Sequence, residues 1–267
     1  MKLNYQLACG CKNSKKIKIF TYHKAPLLEL NYAIKGKYER YYYQCSKCKH
    51  MYSKHKMHWS DSFYEEQYFN TTYQNEKKLD KRFNFVKKLP VAKSDNKNRV
   101  IRINKFFKKK NLEVLDIGSG IGIFLYEMKK NGWKVSGIES DKQFADYSNK
   151  RHKLNVHCKD LFKFNSKKKF NLITLNKVLE HVKNPIMMLK KCKDFLKKDG
   201  LVHIELPSVR SKKNGKNSEE FCIEHHQVFS QQSLKFLISK SGMEPLMLKD
   251  IMDPSGKYTI YGFAKIR

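Results

Sequence analysis

The chain has 267 residues, 56 Lys and Arg against 25 Asp and Glu for a formal net charge of +31, and 40% hydrophobic and 13% aromatic residues. That length and apolar content exclude a disordered chain and suffice for one large α/β domain with a small accessory module. No run approaches the 18 or so consecutive apolar residues of a membrane span, and the N-terminus lacks the apolar core of a signal peptide, so a cytoplasmic protein is expected.

Residues 1–60 are rich in Tyr, Lys, His and Cys, and the alternating Ile17-Lys18-Ile19-Phe20 and Tyr41-Tyr42-Tyr43-Gln44 predict short strands. Two close cysteine pairs, Cys9-Gly10-Cys11 and Cys45-Ser46-Lys47-Cys48, could meet around one tetrahedral ion. With no export signal the expected compartment is reducing, which favours metal over disulfides, and thiolates favour zinc. Cys9, Cys11, Cys45 and Cys48 are the expected ligands of a structural, zinc-ribbon-like module. Because the first pair is C-x-C, His50 is an alternative to one thiolate. Cys158, Cys192 and Cys222 stand alone and read as packing residues.

From 61 to 110 the spacing of Phe83, Val86 and Leu89, and then of Ile101, Ile103, Phe106 and Phe107, predicts linking helices. From 111 to 267 strands and helices alternate, the pattern of a parallel sheet covered on both faces. The strand Leu112–Ile117 runs into Gly118-Ser119-Gly120-Ile121-Gly122 and a helix from Phe124 to Lys130 stopped by Asn131-Gly132. Then come the strand Lys134–Ile138, a helix from near Asp141, a strand near Val156–Cys158, the strand Phe170–Leu175, a helix from about Pro185 to Lys197, a turn at Asp199-Gly200, and the strand Leu201–Leu206. Residues 207–229 read as a polar loop. A helix near Ser233–Lys240 and two strands near Glu244–Asp250 and Tyr258–Ala264 close the chain.

The glycine loop removes side chains where a ligand must touch backbone at a helix N-terminus. It lacks the G-x-x-x-x-G-K-[ST] spacing of a phosphate loop, and its third glycine comes one residue early for G-x-G-x-x-G. Glu139 ends the second strand of this region, 17 residues after Gly122, where a carboxylate accepts the hydroxyls of a ribose. Asp160 ends the next strand, beside Leu161, and could accept from an adenine amino group.

Together these motifs resemble the class I S-adenosylmethionine-dependent methyltransferases: Glu113-Val114-Leu115-Asp116-Ile117-Gly118-Ser119-Gly120 looks like the family's first motif, Gly137-Ile138-Glu139 its ribose acid, and Asn171-Leu172-Ile173 through Val178-Leu179-Glu180-His181-Val182 its fourth strand and the segment after it. The resemblance implies a Rossmann-like seven-stranded sheet whose last strand is antiparallel. It also implies a cofactor held by Asp116, Gly118, Ser119, Gly120, Gly122, Glu139, Asp160, Leu161 and Asn176, with Asn176 beside the transferred methyl. The residues are further similar to sugar methyltransferases of deoxysugar and surface-polysaccharide pathways, which carry an N-terminal zinc module, tyrosines ahead of the cofactor domain, a His after the fourth strand and a Glu-His pair in the lid. That likeness implies Tyr64, Tyr68 and Tyr73 as substrate contacts and His181, Glu224 and His225 as the proton-handling group. The chain departs from those enzymes in ending soon after the seventh strand, so O- or N-methylation of a sugar or glycan precursor is as well supported as C-methylation.

The charge is almost all Lys, with only seven Arg, and Arg is the preferred fork for phosphates and base edges. An anionic, sugar-linked small molecule is the expected partner, and rRNA or tRNA the alternative. Asn176-Lys177-Val178-Leu179 stands where amino-directed nucleic-acid methylases carry Asn/Asp-Pro-Pro-Tyr/Phe, which counts against RNA amino methylation. A non-catalytic binding protein with this fold is a third class. Oligomeric state is open.

Overall fold

The computed structural model describes residues 6–32, 34, 36–57, 72–107 and 111–267. Two sheets organise them. The first is antiparallel, with β1 (Lys16–Tyr22), β2 (Arg40–Cys45) and β3 (Met51–His55) joined at the β3 edge by β9 (Gln227–Val228). Its inner face buries Tyr22, Tyr42 and Met51 against Phe221 and Val228.

Ahead of the larger sheet lie α1 (Glu76–Lys88), capped by the Asn75 side chain, and α2 (Asp95–Asn104), capped by Ser94. The period-three spacing holds: α1 buries Leu79, Phe83 and Val86, while Leu89 is its C-cap. The larger sheet comprises β4 (Glu113–Ile117), β5 (Lys134–Glu139), β6 (Val156–Cys158), β7 (Phe170–Asn176), β8 (Leu196–Pro207), β10 (Met243–Met252) and β11 (Tyr258–Ile266). The intervening helices are α3 (Ile123–Lys130), α4 (Lys142–His152), α5 (Pro185–Cys192) and α6 (Gln231–Lys240).

Strand order is β10-β11-β8-β7-β4-β5-β6, with the last strand, β11, antiparallel to both neighbours, as expected. Central strands are apolar on both faces because helices cover both. In β4, Val114 faces the layer of Val100, Ile103 and Phe124, and the next residue, Leu115, faces the opposite layer of Leu189, Leu234 and Leu237. The strand order reverses direction between β4 and β7, which opens a crevice at their carboxyl ends.

Three local expectations need correction. The helix expected to reach Lys197 ends at Cys192, a 3-10 turn covers Lys193–Phe195, and β8 already begins at Leu196. Asp199-Gly200 therefore lies inside β8, at a register shift opposite Phe170/Leu172, where a Cβ on Gly200 would sit 2.9 Å from the Phe170 carbonyl oxygen. The expected polar loop 207–229 is instead a structured segment with Phe221, Ile223, Val228 and Phe229 fully buried.

Candidate active site

At the carboxyl ends of the strands lies a cavity of about 390 Å³, lined by Gly118, Gly120, Glu139, Asp160, Leu161, His181 and Glu224 among the residues singled out in the sequence, together with Phe144, Lys177, Val178, Val182 and Met188. The turn after β4 makes one wall. Gly118 and Gly122 have left-handed φ of 69° and 75°, and a Cβ at Gly118 would come within 2.8 Å of Val178. At Gly120 a Cβ would meet nothing within 4 Å, so the missing side chain leaves room for a ligand against the backbone.

Glu139 closes one end. Its Oε2 accepts the Gly120 N–H at 2.7 Å and its Oε1 the Asp141 N–H at 3.0 Å, which fixes the carboxylate plane and joins it to the glycine turn. Burial holds its acidity below that of an ordinary carboxyl, opposed by those backbone donors. Asp141 then caps α4, so the chain turns sharply away from the cavity. Asp160 caps its own turn by accepting the Phe162 N–H at 2.7 Å.

Asp116, Ser119, Gly122 and Asn176 are not among the residues that line the cavity. Asp116 Oδ1 accepts from Thr174 Oγ1 at 2.6 Å and from Asn176 Nδ2 at 3.0 Å, tying the ends of β4 and β7 together. Burial pushes its carboxyl up to about 7. Among the described residues Ser119 Oγ and Asn176 Oδ1 are buried without a hydrogen-bond partner, the Ser119 side chain lying against Gly137 of β5.

At the other end, the segments after β7 and after β8 converge. The rings of His181 and His225 meet edge to face with centroids 4.6 Å apart, and Glu180, His181 and His225 bring potential ligand atoms within 4.8 Å of one another. Burial, then the neighbouring His225 ring, keeps His181 well below the usual imidazole range. Burial also lowers His225 to about 3 and raises Glu224 to about 7. Both imidazoles are therefore neutral at physiological pH. Glu180, part of the segment after the fourth strand but given no site role in the sequence, is fully buried, and its two oxygens accept no hydrogen bond from another described residue.

Tyr73 sets its ring edge-on to Phe144, 5.6 Å between centroids, and packs on the cluster of Leu79, Phe83 and Tyr147. Tyr64 and Tyr68 lie outside the described residues.

Beside the first sheet, at the end of β2, Cys9, Cys11, Cys45 and Cys48 bring their four sulfurs within 4.8 Å of one another. A tetrahedral zinc with sulfurs at ~2.3 Å needs them about 3.8 Å apart, so the donor set fits the ion. Against the opposing effect of burial, hydrogen bonds from the Ser14 hydroxyl and the Cys48 and Lys47 N–H groups lower the Cys45 thiol, while burial raises those of Cys9 and Cys48. His50 is not an alternative ligand: its Nδ1 meets Ser233 Oγ at 3.1 Å and its Nε2 meets Gln227 Oε1 at 3.0 Å. Oε1 also accepts the Ala8 N–H at 2.7 Å, which fixes that amide and assigns the histidine proton to Nε2.

A family model described as a methyltransferase domain matches residues 88–247. The ubiquinone biosynthesis O-methyltransferase of Pelagibacter ubique is 33% identical over 102 residues, covering 36% of this chain and 42% of that protein. Its namesake in Glaesserella parasuis is 34% identical over 114 residues, covering 39% and 47%. The chain thus spans less than half the length of these relatives. Among solved structures, the glycopeptide N-methyltransferase MtfA with (S)-adenosyl-L-methionine aligns with a TM-score of 0.55 at 12% identity over 65% of this chain and 95% of that one. The plantazolicin methyltransferase BpumL with SAH aligns with a TM-score of 0.56 at 18% identity over 77% and 93%. At such identities the likeness is one of fold.

Proposed function

Since the chain belongs to the methyltransferase-domain family, we propose that its cavity takes S-adenosylmethionine and that the protein transfers the methyl group to a hydroxyl or amine of a sugar or glycan precursor. The observation that carries the cofactor reading is Glu139, held in plane by two backbone donors beside the gap left by Gly120. Each oxygen keeps a lone pair for a ribose hydroxyl. Asp160 and Leu161 extend the same wall, and Asp116 with Asn176 keeps the glycine turn and β7 in register. When bound, the cofactor supplies an electrophilic sulfonium methyl.

The residues of the chain then have two tasks, to align the acceptor and to take its proton. Neutral His181 lines the cavity and the ring of neutral His225 packs edge-on against the His181 ring, so the one unprotonated nitrogen of His181 can take the proton of an acceptor hydroxyl directly, with His225 behind it as the second acceptor. Glu224 and Lys177 at the same end offer an acceptor and a cation to a polyhydroxylated, anionic substrate. A structural zinc ion in the four-cysteine site is part of the same proposal, and the net charge of +31 suits an anionic substrate through steering.

Isothermal titration with S-adenosylmethionine and with its demethylated product tests the cofactor reading, and absence of binding by both sinks it. Transfer of labelled methyl to a panel of nucleotide sugars, ribosomal RNA and catechols tests the acceptor, and label in RNA or catechol but not in sugar would overturn the sugar assignment.

A further inference from the structure

The segment bearing Glu224 and His225 follows β8 of the large sheet, yet it is fastened by the small one. Tyr22 donates to the Lys216 carbonyl at 2.7 Å, and Arg40 Nη1 to the Phe221 carbonyl at 2.6 Å. Glu29 accepts the Ile223 N–H at 2.7 Å, Tyr42 donates to the His225 carbonyl at 2.5 Å, and the Ser53 N–H donates to the His226 carbonyl at 3.0 Å. Between Phe221 and His225 the anchors named here come from residues 29–42. The large sheet takes hold again at His226, whose N–H reaches the Glu180 carbonyl at 2.8 Å.

Arg40 and Glu29 pair at 3.2 Å with side chains at most 1% exposed. A buried pair adds little net stability, so its use here is geometric: it grips both sides of Cys222. Tyr42 is fully buried with its ring edge-on to Phe221, 5.1 Å between centroids, and cannot swing away from the carbonyl it meets. Placement matters at this point, because a proton acceptor misplaced by about 1 Å can cost a hundredfold in rate.

We propose that Tyr42 is a positioning residue for His225, so that the N-terminal sheet sets the acceptor half of the site while the large sheet sets the cofactor half. This rests on the acceptor role given above to His225, but its test does not require an identified acceptor. In Tyr42→Phe the ring is kept and the O–H lost. Hydrogen exchange by mass spectrometry on the full chain, with and without S-adenosylhomocysteine, is expected to show amides 221–228 exchanging roughly tenfold faster while 113–123 are unchanged. The Kd for S-adenosylhomocysteine should stay within twofold, and the imidazole ¹⁵N resonances of His225, identified by their loss in His225→Asn, should move while those of His203 stay put.

Unchanged exchange and unchanged His225 resonances in Tyr42→Phe would overturn the proposal, and so would equal acceleration across 113–123 with loss of ligand affinity, the mark of a merely structural residue. If Tyr42→Phe does not fold, Arg40→Lys, which keeps the charge but loses the fork that reaches Phe221, is expected to give the same local pattern and is judged by the same criteria. Should the parent protein fail to bind the ligand, the cofactor reading falls, and the exchange pattern alone decides the role of Tyr42.

Discussion

Replacing Glu139 by Gln tests the cofactor reading most directly. Each carboxylate oxygen already accepts one backbone N–H, from Gly120 at 2.7 Å and from Asp141 at 3.0 Å, and each retains capacity for one ribose hydroxyl. Two charge-assisted bonds contribute about 3–6 kcal/mol, whereas the single oxygen of an amide could offer one neutral bond of about 0.5–1.5 kcal/mol. The amide NH₂ would also face a backbone N–H donor. The expected loss is therefore about 2–4 kcal/mol, or roughly thirty- to a thousandfold in Kd. Isothermal titration with S-adenosylhomocysteine reads this, with circular dichroism checking that the fold is kept. A Kd within threefold of the parent would show that the carboxylate does not carry the ribose.

The pH dependence of stability should have two limbs. Burial raises Glu180 from 4.5 to about 8 and Asp116 from 3.8 to about 7, so their contribution is full below the ordinary carboxyl values and is lost as pH rises through about 7–8. Glu180→Gln should flatten that alkaline limb in urea midpoints taken at pH 6.5 and 9, and equal slopes in both proteins would refute the assignment. Burial lowers His50 to about 4 and His203 to about 3, so their contribution is full above 6.5 and is lost as pH falls toward 4 and below. His203→Gln should soften that acid limb. Glu205 accepts from Arg99 and, at 2.8 Å, from Arg102, and Glu205→Ala strands a buried guanidinium, for an expected cost of roughly 3–5 kcal/mol in urea unfolding, the idea failing at under 1 kcal/mol. Elemental analysis should find one zinc per chain, lost in Cys45→Ser along with several degrees of melting temperature, and a metal-free parent of equal stability would remove zinc from the account.

What could be read in advance was whatever the chain encodes locally. The alternation from β4 to α4, the glycine loop from Gly118 to Gly122, the acid at the tip of β5 and the cysteine spacing each depend on neighbours in sequence. The meeting of His181 with His225 was also foreseeable, because both follow strands that end at the same edge. The segment 207–229 was not. Its buried Phe221, Ile223, Val228 and Phe229 follow neither the helical nor the strand period, since Phe229 is covered by the large sheet, Phe221 and Val228 by Tyr22, Tyr42 and Met51, and Ile223 by Tyr32 and Met57. The burial of Glu180 and Arg40 was not legible for a similar reason, as a charged residue gives no sign in sequence that it will be buried.

The pairing of β3 with β9 has a further consequence, in the order of events during synthesis. Tyr52 finds its strand partner at Gln227, roughly 175 residues later. Until that point leaves the ribosome, the β3 edge of the small sheet has no neighbour, and the apolar face of Tyr22, Tyr42 and Met51 has no lid. Such an edge invites pairing with another nascent chain, and the long loop it must close slows folding. Metal capture by four cysteines that all emerge within the first 48 residues would hold the unfinished sheet together through that interval. On the zinc reading proposed above, the ion would act first as a placeholder for a strand not yet made.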